Sequence, residues 1–212
     1  MLHGIMLSTG RMEALTDGIF AIAMTLLVLE LKAPELPKHV PSAQLLQALG
    51  QQITSFFSFL VSFLYCGVMW LLHHLAFHFI RRLQPGLVWL NLLFLMSISI
   101  FPFSCALLGH FIRTPAAEEI YFGNMFLASS LLALQWWVAR RKNLINDDDK
   151  LATQAMQHRL LLLPAASAVG MLATLDRPMA GFYAMIVVSL LARIWQRRWL
   201  KKKLKTPAPS VS

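Results

Sequence analysis

Charge is scarce in this sequence, and acidic charge is scarcest. Only 14% of its 212 residues are charged, with 10 Asp and Glu against 19 Lys and Arg. A water-soluble domain carries roughly a quarter charged residues, so an ordinary soluble globule is excluded. Cysteine is limited to Cys66 and Cys105. Both fall inside apolar runs, which excludes a disulfide framework and leaves them as small core hydrophobes. No internal repeat divides the chain, and no small-x-small site follows the first apolar run as a cleaved signal peptide would require.

What replaces charge is hydrophobicity. Apolar residues make up 57% of the chain, gathered into runs long enough to cross a bilayer, which takes about 20 residues as helix. Long unbroken runs argue against strands, whose open edges are not tolerated in lipid. The expected fold class is therefore all-α and polytopic, with six transmembrane helices.

The spans read as residues 11–31, 50–80, 87–111, 119–139, 155–175 and 179–199. "KAPELPKHVPSA" after the first and "QPG" after the second are loops by their prolines, and Pro102 predicts a kink in the third. Basic residues are unequal on the two sides. Loops after spans one, three and five hold Lys32, Lys38, Arg113 and Arg177. The other side holds Arg11, Arg81, Arg82, the 140–142 cluster, Lys150 and the Arg/Lys tail. By the positive-inside rule both termini are cytoplasmic, in the inner (plasma) membrane. That topology accounts for the net charge of +9 better than nucleic-acid binding does. Residues 1–200 form one transmembrane domain, and 201–212 a basic, disordered tail that touches anionic lipid.

The first span, "RMEALTDGIFAIAMTLLVLEL", contains Arg11, Asp17, Thr25 and Glu30. Ionisable groups inside a membrane span mark function by default. At about 100° per residue, with Ile22 at zero, Leu26 falls near +40°, Leu29 near −20°, Thr25 near −60° and Asp17 near −140°. One stripe thus carries three bulky apolar side chains and a hydroxyl, with the carboxylate on nearly the opposite side. Periodicity alone reads the stripe as packing. Asp17 needs partners at its depth, and counting along the helices puts His73, His74 and Asn91 at a similar level, with Trp70 one turn deeper. His74 and His78, four apart, could share a metal, but no Cys or carboxylate lies near in sequence to complete a site. A buried hydrogen-bond network is the preferred reading.

The same residues resemble a known family. "R-x-x-x-L-T-D" opening span one, "WLLHH" in span two and "LVWLNLLFLMSISIFPF" in span three are similar, in that order, to motifs of the transmembrane protein 175 potassium channels. The resemblance covers the first half of the chain, and the second half agrees in span number and topology. It implies a homotetramer with the first helix lining a central pore, since one helix cannot enclose a pore and a closed ring is the symmetric solution. It implies a potassium-permeable cation channel without a "TVGYG" filter, favouring potassium over sodium. Carried over by position, Ile22 is the narrowest constriction, with Leu26 and Leu29 as further apolar rings, and Thr25 is the selectivity hydroxyl. Arg11, Thr16, Asp17, Trp70, His73, His74 and Asn91 form a polar network bracing the cytoplasmic half. Leu15 and Thr16 depart from the family's aromatic and serine. No cofactor, metal or enzymatic activity is implied; the partners are lipid, further copies of the chain and permeant potassium ions. Glu30 either concentrates cations at the outer end or is a solvated helix end. The rival function is a proton-coupled transporter using Asp17 and the span-two histidines, against which stands the lack of an inverted repeat or a broken helix pair.

Overall fold

The computed structural model describes residues 9–146, 148–175 and 177–205. Seven helices follow in order: α1 (Thr9–Leu27, continued by a 3-10 turn, Val28–Glu30), α2 (Ser42–Gln51), α3 (Ile53–Phe79), α4 (Pro85–His110), α5 (Pro115–Arg141), α6 (Lys150–Thr174) and α7 (Ala180–Lys205). Each predicted span lies within or closely overlaps a long helix. Three stretches, Thr9–Glu30, Ile53–Phe79 and Pro85–His110, are long and apolar enough to cross a membrane by length and composition. The remaining long helices, α5 to α7, carry more polar residues for the same length.

Local signals explain the breaks. Proline opens both α4 and α5, each after an extended residue, because a first-turn proline loses no intrahelical hydrogen bond. Pro102 and Pro164 lie inside helices that run on through them. The segment expected as a loop up to Ala43 ends two residues earlier, at Pro41, and α2 begins at Ser42. Extended Pro41 precedes "SAQLLQALGQ", a stretch of good helix formers. α2 buries none of its residues within the chain. α7 continues helically through 201–205, and the rest of the expected tail, 206–212, lies outside the described residues.

The core joins all the long helices. Phe20 and Leu27 of α1, Tyr65 and Met69 of α3, Phe94 and Phe101 of α4, Tyr121 and Phe122 of α5, and Leu160 and Phe182 of α6 and α7 form one buried cluster. Polar tips of aromatics fix its register. The Tyr65 hydroxyl donates to the Met125 carbonyl at 2.7 Å, and the Tyr121 and Ser62 hydroxyls bond at 3.1 Å. Cys66 and Cys105 are buried and free. At one end, the α3–α4 and α5–α6 connections are tied together by Arg81 N–H to Leu144 O (2.9 Å) and Asn146 N–H to Phe79 O (2.8 Å). At the other, the fully buried Glu118 carboxylate accepts the Met179 N–H at 2.9 and 3.1 Å and holds the α6–α7 turn.

α6 and α7 approach closely because glycines meet there. A Cβ at Gly181 would stand 2.6 Å from both the Gly170 carbonyl oxygen and the Phe122 ring, whereas one at Gly123 would meet nothing within 4 Å. Overpacking of that kind costs about 1–3 kcal/mol. Gly181→Ala is therefore expected to lower the thermal unfolding midpoint in detergent, and Gly123→Ala to leave it unchanged or raise it slightly. Equal midpoints for the two variants would contradict the close approach.

Candidate ion pathway along the first helix

α1 has two faces. Met12, Thr16, Phe20, Ala23 and Leu27 are buried, spaced by four, four, three and four, which is the repeat of one helical face. This face packs chiefly on α4 and then on α3, with Phe20 against Phe94 at 5.9 Å between ring centroids. The opposite face is bare. Ile22, Leu26 and Leu29 are 59%, 41% and 65% exposed, and Thr25 between them is exposed too. A contiguous apolar surface of this kind on one chain marks contact with lipid, with a partner, or both.

Thr25 has a defined pose. Its hydroxyl donates to the helix's own carbonyls, Ile22 O at 2.8 Å and Ala21 O at 3.0 Å. Using its proton this way leaves the oxygen's lone pairs directed away from the backbone, free to face a cation.

Below the stripe, the residues expected to brace the helix separate into two contacts. In the buried one, His73 Nε2 donates to Asn91 Oδ1 at 2.9 Å, and Asn91 Nδ2 donates to Thr16 Oγ1 at 3.3 Å. Thr16, His73 and Asn91 are all 2% exposed or less. The His73 ring is sandwiched by Phe77 and Phe94, with centroids 4.1 and 5.4 Å away. Because Asn91 Oδ1 only accepts, Nε2 must carry the proton. In the exposed contact, the Trp70 indole N–H donates to Asp17 Oδ1 at 2.8 Å, and His74 stacks on Trp70 at 5.8 Å.

Asp17 is thus joined to Trp70 rather than bonded to either histidine. Arg11 is exposed and forms no side-chain hydrogen bond to another described residue. Among the described residues no group of three His, Cys, Asp or Glu is arranged to hold a metal. Leu15, in the place of the family's aromatic, is 44% exposed, while the Thr16 hydroxyl is engaged as an acceptor. Reading the sequence span by span passes over Glu118 and over Arg159 and Arg193. Their signal was available: the two arginines stand inside predicted spans rather than at their ends.

The family described as "Endosomal/lysosomal potassium channel TMEM175" matches residues 11–102. A potassium channel of Streptomyces collinus is 36% identical over 160 residues, 73% of this chain and 76% of that protein. This chain belongs to the TMEM175 family. A second TMEM175 relative, a potassium channel of Chamaesiphon minutus, is 37% identical over 155 residues, covering 72% of this chain and 73% of that one. The crystal structure of a lysosomal potassium-selective channel TMEM175 homolog from the same organism superposes with a TM-score of 0.76. Its identity is 28%, over 89% of this chain and 97% of that chain. The TMEM175 match spans the helices that carry the stripe and the polar contacts, namely α1 from Arg11 onward, α3 and α4 to Pro102. The fold is an all-α membrane channel fold, and the relatives are channels, not enzymes.

The buried contact is the more demanding of the two. Removing the Thr16 oxygen leaves a buried Asn91 N–H without a partner, at a cost of about 1–3 kcal/mol. Thr16→Val is expected to lower the unfolding midpoint clearly, and Thr16→Ser to hold it. A Thr16→Val protein as stable as Thr16→Ser would contradict the role of that hydroxyl.

Proposed function

We propose that this chain is a potassium-permeable cation channel of the plasma membrane, a homotetramer in which α1 lines a central pore. One observation carries the reading: α1 buries one face on α3 and α4 and leaves the Ile22–Thr25–Leu26–Leu29 face bare. Membership of the TMEM175 family, with two bacterial relatives named potassium channels, supports it. Six long helices, α1 and α3 to α7, cross the membrane, with both termini cytoplasmic by the excess of basic residues on that side.

The mechanism follows from the stripe. Four copies of Ile22 at the axis form an apolar ring, and such a ring gates by shedding water when narrow and passes hydrated ions when wider. Leu26 and Leu29 add rings toward the outer end. Sodium holds its hydration shell more tightly than potassium, so partial stripping at the ring favours potassium. The Thr25 oxygens, their protons already committed to helix carbonyls, replace part of the lost water. Asp17 and Arg11 stand off this wall. Asp17, with Thr16, Trp70, His73, His74 and Asn91, braces the cytoplasmic half and fixes how α1 is turned, whereas Arg11 makes no such contact among the described residues.

Recording from the reconstituted protein under bi-ionic potassium and sodium tests this. The wild type is expected to reverse on the potassium-selective side. Ile22→Asn, which wets the ring, should raise the current several-fold and move the reversal potential toward zero, and Thr25→Val should reduce the potassium preference with Ile22 intact. A leak equal for potassium, sodium and chloride that Ile22→Asn does not alter would overturn the pore assignment.

A further inference from the structure

A cleft of about 420 Å³ opens between α3, α6 and α7, away from the bare face of α1. Arg159 of α6 and Arg193 and Arg197 of α7 line it, and no carboxylate does. Arg193 and Arg197 are four apart and share a face of α7. All three arginines are exposed, and the only ion pair among the described residues joins Arg81 to Asp148. Like charges around one opening repel, and more strongly the less water surrounds them. An anion in the cleft removes that repulsion, and guanidinium forks suit phosphate oxygens.

Depth and lining say which anion. Arg159 and Arg193 lie one to two turns inside the ends of their predicted spans. Trp195 and Trp199 lie at the same level of α7, with His158 edge-on to both at 5.1 and 4.9 Å. Tryptophans at such a level mark the headgroup region. The cleft's polar end is held by Gln196, whose amide donates to Ala155 O at 3.4 Å. Toward the membrane centre the lining turns apolar, with Leu162 and Leu163 beyond Arg159 and with Val68 and Leu72 on the α3 wall. Free phosphate would answer the guanidiniums and leave those walls uncovered. A phospholipid answers both.

We propose that this cleft binds an anionic glycerophospholipid of the leaflet on the α7 C-terminal side. Its phosphate lies among Arg159, Arg193 and Arg197, and an acyl chain runs along α3 and α6. The assignment rests on the membrane embedding of the helices and on nothing in the ion path.

The test uses the full chain reconstituted in phosphatidylcholine vesicles with and without phosphatidylglycerol, then released for native mass spectrometry. Phosphatidylglycerol is expected to stay bound in preference to phosphatidylcholine. Each arginine of the three changed to Gln should weaken retention roughly fivefold, and Arg193→Lys should weaken it less than Arg193→Gln. Arg82→Gln with Arg198→Gln removes two exposed cations that do not line the cleft, and should leave retention unchanged. An equal loss from that control pair would reduce the effect to general surface attraction and overturn the site. Displacement of the lipid by inorganic phosphate alone would overturn it in favour of a free-anion site. If Arg193→Gln split the oligomer while lipid retained per chain stayed constant, the cleft would belong to contacts between copies. None of these readouts depends on ion current.

Discussion

The packing of one face of α1 on α4 and α3 is the constraint from which the rest of the structure follows. Met12, Thr16, Phe20, Ala23 and Leu27 can be buried together only at one rotation of the helix, and that rotation turns Ile22, Thr25, Leu26 and Leu29 outward. Apolar contact alone would allow the helix to slip or roll. The Thr16–Asn91–His73 chain opposes this, because a buried polar group that loses its partner is costly and a buried Leu that shifts by a fraction of a turn is not. The polar residues act on the bare face from behind it.

That division also explains why charge survives in so apolar a chain. Asp17 contacts the Trp70 indole on α3, Glu118 holds the Met179 backbone at the α6–α7 turn, and Arg159, Arg193 and Arg197 gather at a single cleft. None of these groups lies on the Ile22–Leu29 stripe. In a low-dielectric setting the useful places for ionisable groups are those where a fixed donor, a fixed acceptor or a counter-ion meets them.

Much of this was legible in the sequence, for definite reasons. Helical periodicity is rigid, so the angular separation of Asp17 from Ile22, Leu26 and Leu29 could be calculated before any tertiary structure was known. Depth counting put Asp17, His73, His74 and Asn91 at one level; the structure joins two of them, His73 and Asn91, and extends that contact to Thr16, a residue that only the family resemblance had supplied. Depth gives height and not azimuth, however, so it could not tell that Asp17 meets Trp70 and that His74 only stacks on that ring. α2 was missed because the prolines before it end at Pro41, leaving a stretch too short and too weakly apolar to register as a span. The cleft of Arg159, Arg193 and Arg197 joins residues of different helices, and no local pattern announces it. The motifs lie in the first half of the chain, which the family model matches, while the similarity to the Streptomyces collinus channel spans 73% of the chain and the superposed channel covers 89% of it.

The central claim is that the face α1 leaves bare is the wall of the ion path. Single cysteines on the two faces test it most directly, probed by a charged, membrane-impermeant thiol reagent during potassium current; Cys66 and Cys105 are buried and give a quiet background. The account predicts that modification of Leu26→Cys and Leu29→Cys blocks the current, while Ala23→Cys and Leu27→Cys do not respond. Block from the Ala23 and Leu27 positions, with none from Leu26 and Leu29, would contradict it.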